Sequence, residues 1–466
     1  MASTYLQRTN AGTETDSKKA TISAWVKLSQ SVGNFNAGIF GTYASGNYNA
    51  DGNVQIGFYN GGLYAWFRDG GSSYYKQESN KRFRDNNAWY HLVYRFDMTQ
   101  STASNRIRVY ANGQEITDWD STNNPGSTQN IQMNNGGRIV RVGTYNFLNG
   151  THNYLDGLMS HFYFCDGYSY APTEFGETDS ITGEWKIKTQ TNVNHGTNGF
   201  LILKDGNTVT DQSANSNDLS VAAGTLTKTE DNPSNIFCTV NPVFAHNISG
   251  AYTPNLVQGN TTWYPSSNTG HSWGRSTLGW TSGKYYMEFK IEEANSGQSS
   301  GVWMVPTELP QNISPQTPSN TTYGWQIQYS GSDQNFYTTN GGSTVSTITT
   351  SVGANPIVMM AIDADNNKMW IGHNGTWYNN NNPSTTLNNS YPDHTWTPGT
   401  YGDMYQLSFQ SYFQSSNYNN NRANFGNGYF GTTAVSSAGT NASNNGIFEY
   451  DVPSGFTALS TKGLNL

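Results

Sequence analysis

The sequence predicts an all-β protein built from two β-sandwiches in tandem, and three observations carry that prediction. Apolar residues alternate with others over short runs, as where Ile22, Ala24, Val26 and Leu28 alternate with Ser23, Trp25 and Lys27; a period of two is that of a strand with one buried face. Asn-Gly pairs at Asn112-Gly113 and Asn374-Gly375 fall between such runs, where their tolerance of positive φ suits the tight turn of a hairpin. The composition agrees, since 49 glycines, 30 tyrosines and 13 tryptophans with only 12% charged residues favour strands and turns over helices.

Taken in order, strand runs follow at Gly38–Tyr43, Val54–Tyr59, Leu63–Phe67 and Trp89–Asp97, then a hairpin over Arg106–Ile116 and a strand at Leu158–Cys165. These define a first sandwich at 1–170, with Val26, Val93 and Val109 expected in its core. From 171 to 261 the periodicity fades while Phe175, Trp185, Phe200 and Phe237 recur. A structureless stretch of that length is unusual in a folded chain, so an ordered connector with short strands is expected. Strands resume at Lys284–Ile291, Gly301–Val305, Tyr323–Tyr329 and Pro356–Asp363, with a second hairpin over Lys368–Tyr378 and a last long run at Tyr405–Phe413. They define a second sandwich at 262–466 with Phe289, Ile362 and Phe409 inside. Asn379–Asn382 and Asn417–Asn421 read as exposed loop tips.

Composition also excludes. A net charge of −8 and a pI near 5.5 oppose nucleic-acid binding, which needs clustered cations. No apolar run approaches the roughly 20 residues of a membrane span, and the start MASTYLQRTN lacks the basic and apolar regions of an export signal. Synthesis in a host cytoplasm without membrane insertion is expected. Cys165 and Cys238 form neither a disulfide framework nor a metal motif. An adhesin-like Asn, Gly, Ser and Tyr surface without an export signal fits a virus particle assembled inside its host and released by lysis.

The stretches ATISAWVKLS (20–29), AWYHLVYRFD (88–97), NRIRVYANGQEI (105–116) and YLDGLMSHFYFCDG (154–167) resemble, in this order, the laminin G-like domain, a concanavalin A-like jelly roll. Phe175-Gly176-Glu177 is similar to the connector of phage versions. SGKYYMEFKI (282–291), YGWQIQYSG (323–331), VMMAIDADNNKMWIGHNGTWYN (358–379) and RANFGNGYF (422–430) resemble a SPRY domain, a related sandwich. VPSGFTALSTKGLNL (452–466) looks like the ending of phage proteins that join the two. The resemblance implies a virion component, whether tail fibre, capsid fibre or head decoration, partnered by other virion proteins; a homotrimer is the assembly expected of a fibre.

Glycoside hydrolysis needs two carboxylates about 5 to 9.5 Å apart. Glu14 with Asp16, and Glu177 with Asp179, lie in turn-like sequence without a third acid, while neighbouring Glu292 and Glu293 would point to opposite faces of a strand. Ser-His-Asp chemistry lacks its nucleophile elbow; His91 reads as a hydrogen-bonded strand residue, and His373, beside the Asn374-Gly375 turn, is expected to be exposed. Asp51, Asp69, Asp156, Asp363 and Asp365 have calcium-compatible oxygens but equally serve turns, so neither a metal site nor a cofactor is expected, nor an enzyme.

Glycan binding asks for flat aromatic faces beside amides and hydroxyls. Loops carrying Trp377, Tyr378, Tyr412 and Tyr418 amid dense Asn are the expected site for a host-surface glycan. The alternatives are a module that contacts only other virion proteins and, further off, a glycan hydrolase.

Overall fold

The computed structural model describes residues 3–29, 35–43, 53–68, 73–146, 152–188, 190–204, 206, 208–244, 251–266, 270–292, 299–312, 314, 323–330, 333–340, 343–349, 352–353, 355–379, 382–384, 394–398, 401–413 and 420–465. Among them helix is confined to three short 3-10 turns, and no helix is long and apolar enough to cross a membrane. The fold is all-β, as expected. It divides into two compact units, Met1–Leu226 and Thr227–Leu466, and this boundary falls inside the segment read as a connector, whose strands are shared between them.

The first unit contains β1 (Tyr5–Thr9), β2 (Lys19–Leu28), β3 (Ala37–Tyr43), β4 (Val54–Tyr59), β5 (Gly62–Arg68), β6 (Tyr74–Arg82), β7 (Trp89–Asp97), β8 (Ile107–Ala111), β9 (Gln114–Glu115), β10 (Trp119–Asn123), β11 (Ile139–Val142), β12 (Thr144–Asn146), β13 (His152–Tyr154), β14 (Gly157–Asp166), β15 (Gly176–Thr178), β16 (Trp185–Ile187), β17 (Phe200–Ile202) and β18 (Ser220–Ala223). An eight-stranded sheet ordered β10-β6-β5-β4-β3-β11-β1-β18 faces a six-stranded sheet ordered β17-β14-β2-β7-β8-β9. Ile22, Val26, Tyr94 and Val109 from the smaller sheet meet Phe40, Ile56, Phe58 and Phe67 from the larger in one core. The β8–β9 turn holds Asn112 at φ 49° and Gly113 at φ 76°, the left-handed pair that its sequence requires.

Val93 is buried elsewhere than expected. One residue out of step with Leu92 and Tyr94, it points to the opposite face of β7 and joins Tyr163, Cys165, Phe175 and Leu201 in a second cluster. The chain beyond β14 folds back over that face, so β2 is buried on both sides although its sequence alternates.

In the second unit a seven-stranded sheet runs Ala251–Tyr252, Gly270–Trp280, Tyr405–Phe413, Ser299–Pro306, Tyr323–Ser330, Asp333–Asn340, Ser343–Thr349. It packs on a ten-stranded sheet whose centre is Lys284–Ile291 beside Ile357–Asp363. Phe289, Ile362 and Phe409 lie in the shared core. The far face of the ten-stranded sheet is covered by Phe448, Val452 and Phe456 from the C-terminal segment.

Candidate functional site

The outer side of the eight-stranded sheet carries an aromatic and amide layer fixed by strand register; Gln55, Tyr64, Trp66 and Arg141 within it are buried, and the rings that reach solvent lie at its rim, Tyr74 above all. Val54, Ile56 and Phe58 of β4, and Leu63, Ala65 and Phe67 of β5, enter the core; Gln55, Tyr64 and Trp66 must therefore face the other way. Pairings place Gln7 opposite Arg141, Arg141 opposite Gly41, Gly41 opposite Gln55, Gln55 opposite Trp66 and Trp66 opposite Lys76. One row thus crosses six strands, and glycine at its middle lets the β12–β13 hairpin pack closely on it, where a Cβ would meet the Tyr145 Cα at 3.1 Å. A small, shallow cleft beside it is lined by Gly41, Tyr43, Asn53, Gln55, Arg141 and Tyr145 among others.

Its walls are held rigidly. Arg141 Nε donates to Gln7 Oε1 at 3.0 Å, and its guanidinium stacks 4.4 Å from the Tyr43 ring centroid and 4.9 Å from that of Tyr5, a cation-π sandwich. The β12–β13 hairpin lies across β3 and supplies Tyr145, whose hydroxyl donates to the Phe58 carbonyl at 2.8 Å. Burial pushes the Tyr64 and Tyr145 phenols above their ordinary range; both are neutral hydroxyls. Around the rim Trp66 stacks with Tyr74 at 6.3 Å, and Tyr74 is 44% exposed. His152 stacks with Tyr154 at 5.4 Å; burial, helped by the Arg141 charge, lowers its pKa.

Flat rings beside fixed amide and hydroxyl groups match the apolar faces and hydroxyls of a sugar. Hydrolysis is poorly served. Among the described strand residues that register places on this face, Glu78 is the one carboxylate, and it pairs with Lys76 at 3.7 Å. The acids weighed from sequence are employed elsewhere: Asp179 binds Lys186 at 2.9 Å, Glu292 binds Arg422 at 2.6 Å and Asp363 binds Lys284 at 2.9 Å. Asp51, Asp69 and Glu293 lie outside the described residues.

Two Ser-His contacts occur in this unit's described residues, Ser160 Oγ with the adjacent His161 Nδ1 at 2.7 Å and Ser23 Oγ with His91 Nε2, and in the buried His91 pair the protons run the wrong way. Trp185 Nε1, which can only donate, points at His91 Nδ1 at 2.9 Å. The His91 proton therefore sits on Nε2 and is donated to Ser23 Oγ at 2.8 Å, whereas a general base would accept there. Burial pushes this imidazole down to about 3. Because the folded pKa is depressed, the associated stability is complete above the unfolded value of 6.5 and drains as pH falls towards 3. Denaturant midpoints for the first unit should drop between pH 7 and pH 4, and His91→Gln, which titrates nowhere, should flatten the fall; an unchanged fall would assign it to other groups.

The structure separates the residues singled out from sequence. Trp377 is 4% exposed and packs beside Tyr286 and Phe448 beneath the C-terminal segment. Its neighbour Tyr378 points to the other face, 7% exposed in the main core, with its ring 5.3 Å from His373. Neither ring is available as a sugar platform: both faces of this hairpin are covered. Tyr412 is half-buried in the seven-stranded sheet, and Tyr418 lies outside the described residues. What sequence reading missed is the β4 and β5 pattern, where Gln55, Tyr64 and Trp66 interleave with apolar residues; a ring at the polar phase of a strand was the available signal.

Residues 2–168, which carry this surface, match the family model for the concanavalin A-like lectin/glucanases superfamily. No curated protein matches the sequence. Among solved structures the chain is similar to the SPRY domain of human HERC1, at 18% identity over 38% of this chain and 96% of that one (TM-score 0.25). The TRIM65 PSpry domain is 12% identical over 40% of this chain and 91% of that one (TM-score 0.25). A heptameric SAP-like pentraxin from Limulus polyphemus is 18% identical over 44% and 87% (TM-score 0.29).

Proposed function

We propose that the protein is a non-enzymatic structural component of a bacteriophage particle that binds host-surface carbohydrate through the eight-stranded sheet of its first unit. The observation that carries the binding is the aromatic rim of this face, Tyr74 stacked on Trp66 and His152 on Tyr154, around the shallow cleft lined by Tyr43, Gln55 and Arg141. The match of residues 2–168 to the model for a lectin and glucanase superfamily supports the ligand class, and a single carboxylate among the described strand residues of the face supports binding without turnover. The particle context rests on the phage-like motif order and the C-terminal ending; it makes the protein a fibre or decoration, assembled as a homotrimer with other virion proteins. Individual contacts this shallow are weak, on the order of 1 mM, and many copies on a particle raise attachment by avidity.

Gln55→Ala with Tyr74→Ala is expected to lower adsorption of otherwise intact particles to host cells by about tenfold or more, with protein content unchanged by mass spectrometry of purified particles. Undiminished adsorption would favour a module that contacts only virion proteins. A polysaccharide panel assayed for reducing ends should give no turnover. Turnover abolished by Glu78→Gln would instead establish a hydrolase.

A further inference from the structure

The seven-stranded sheet of the second unit has an outer side as well. Val302, Trp325, Ile327, Leu407 and Phe409 enter the core, so alternation sends His271, Trp273, Ser299, Gln326, Gln410 and Tyr412 to the other face. Register sets them in two adjoining rows. Tyr412 stands opposite His271 on one side and Ser299 on the other. Gln410 stands opposite Trp273 and Gly301, and Gly301 opposite Gln326.

The lower layer of this surface is fixed and the upper layer accessible. Trp273, Ser299 and Gln410 are buried. The Gln410 amide reaches His271 Nδ1 at 2.7 Å and Ser299 Oγ at 3.4 Å, which orients the imidazole. His271 lies 4.5 Å from the Tyr412 ring and 6.1 Å from Trp273. His271, Gln326 and Tyr412 keep part of their surface in solvent.

We infer that this face is a second carbohydrate site, for neutral sugars, which makes each chain bivalent; the inference rests on the carbohydrate-binding reading of the first unit. The accessible part of the Tyr412 ring, bordered by the oriented His271 imidazole and the Gln326 carboxamide, offers a sugar a stacking surface and hydroxyl partners together. Neutrality follows from the charges of the face. Burial lowers the His271 pKa, leaving it uncharged at neutral pH. The described cation of this face, Arg275, is 1% exposed and donates to the Leu309 carbonyl at 2.9 Å and the Thr307 carbonyl at 3.3 Å. A carboxylate or sulfate on the ligand would meet no accessible charge among these residues. A peptide strand is less well matched, because the centre of the sheet presents side chains rather than free backbone edges.

The test uses the full chain on an array of neutral and anionic oligosaccharides. Tyr412→Ala and His271→Gln, each checked for native thermal unfolding, should lower the neutral-glycan signal at least about tenfold through lost bivalency; adding Gln55→Ala with Tyr74→Ala should abolish it. Tyr412→Phe, which keeps the ring, should retain most of the signal and guards against a folding artefact. If the Tyr412 and His271 variants bind like wild type while the first-unit variant loses signal, the second site is overturned and the first stands. Loss in the second-unit variants with none in the first-unit variant would uphold this site and overturn the first. Signal confined to anionic glycans, or a wild-type chain that binds nothing on the array, would overturn the inference.

Discussion

Replacing Glu288 with alanine is expected to destabilise the second unit by about 4 kcal/mol, because several buried donors would lose their acceptor together. Glu288, on the central Lys284–Ile291 strand, is fully buried. Its Oε1 accepts the Tyr286 hydroxyl at 2.9 Å and the Tyr450 N–H at 2.8 Å. Oε2 accepts the Glu449 N–H at 2.9 Å and the Asn424 amide at 3.2 Å. One carboxyl thereby pins the C-terminal segment to the far face of the ten-stranded sheet, over the cluster that buries Trp377. Hydrogen exchange should report the loss locally, with the Glu449 and Tyr450 amides accelerated more than core strands. Urea midpoints should report it globally.

The same residue gives a pH dependence of defined sign. Burial pushes the Glu288 carboxyl up to about 7 in spite of its four donors. The folded state then holds the proton more tightly than the unfolded chain, so this contribution to stability is complete below about 4.5 and lost as pH rises through 7. Wild-type midpoints for this unit should be lower at pH 8.5 than at pH 5.5. Glu288→Gln, less stable throughout because its amide brings a donor among donors, should lose that slope; a slope that persisted in the glutamine variant would belong to another group.

The strands, both hairpin turns and most core positions were legible because each depends on local pattern. Val26 and Val109 lie where alternation puts them. Val93 shows where pattern stops: its phase says which face it takes, but not that Phe175, more than eighty residues on, will cover that face. Trp377 and Tyr378 misled for the same reason. Adjacent rings beside an Asn-Gly turn read as a displayed loop, yet Tyr378 packs against Phe336 and Trp377 shares a buried cluster with Phe448, both remote in sequence. Conversely, the cleft arises from register between β3, β4 and β11, which no single stretch of sequence declares. Only the interleaving of Gln55, Tyr64 and Trp66 with core residues was visible beforehand.

Gly38 tests that register most severely. A side chain at Gly38 would place its Cβ 2.1 Å from the Tyr145 nitrogen, 2.4 Å from the Thr144 carbonyl carbon and 2.6 Å from the Asn153 oxygen. All three are backbone atoms of the β12–β13 hairpin, so no rotamer change relieves the clash, and the hairpin has to lift from β3. Lifting would withdraw the Tyr145 hydroxyl from the Phe58 carbonyl and remove one wall of the cleft. Gly38→Val should therefore destabilise the first unit by about 3 kcal/mol or more, the upper range for overpacking where neighbours cannot yield, and Gly38→Ala by somewhat less. Glycan binding by the first unit should fall by more than about tenfold in whichever variant still folds. The His91 contacts on the opposite sheet should survive, which Trp185 fluorescence and the His91 ring resonances can follow. If Gly38→Val folds with those resonances intact and still binds sugar as wild type does, the hairpin is not a wall of the site, and the ligand must sit further along the sheet towards Trp66 and Tyr74.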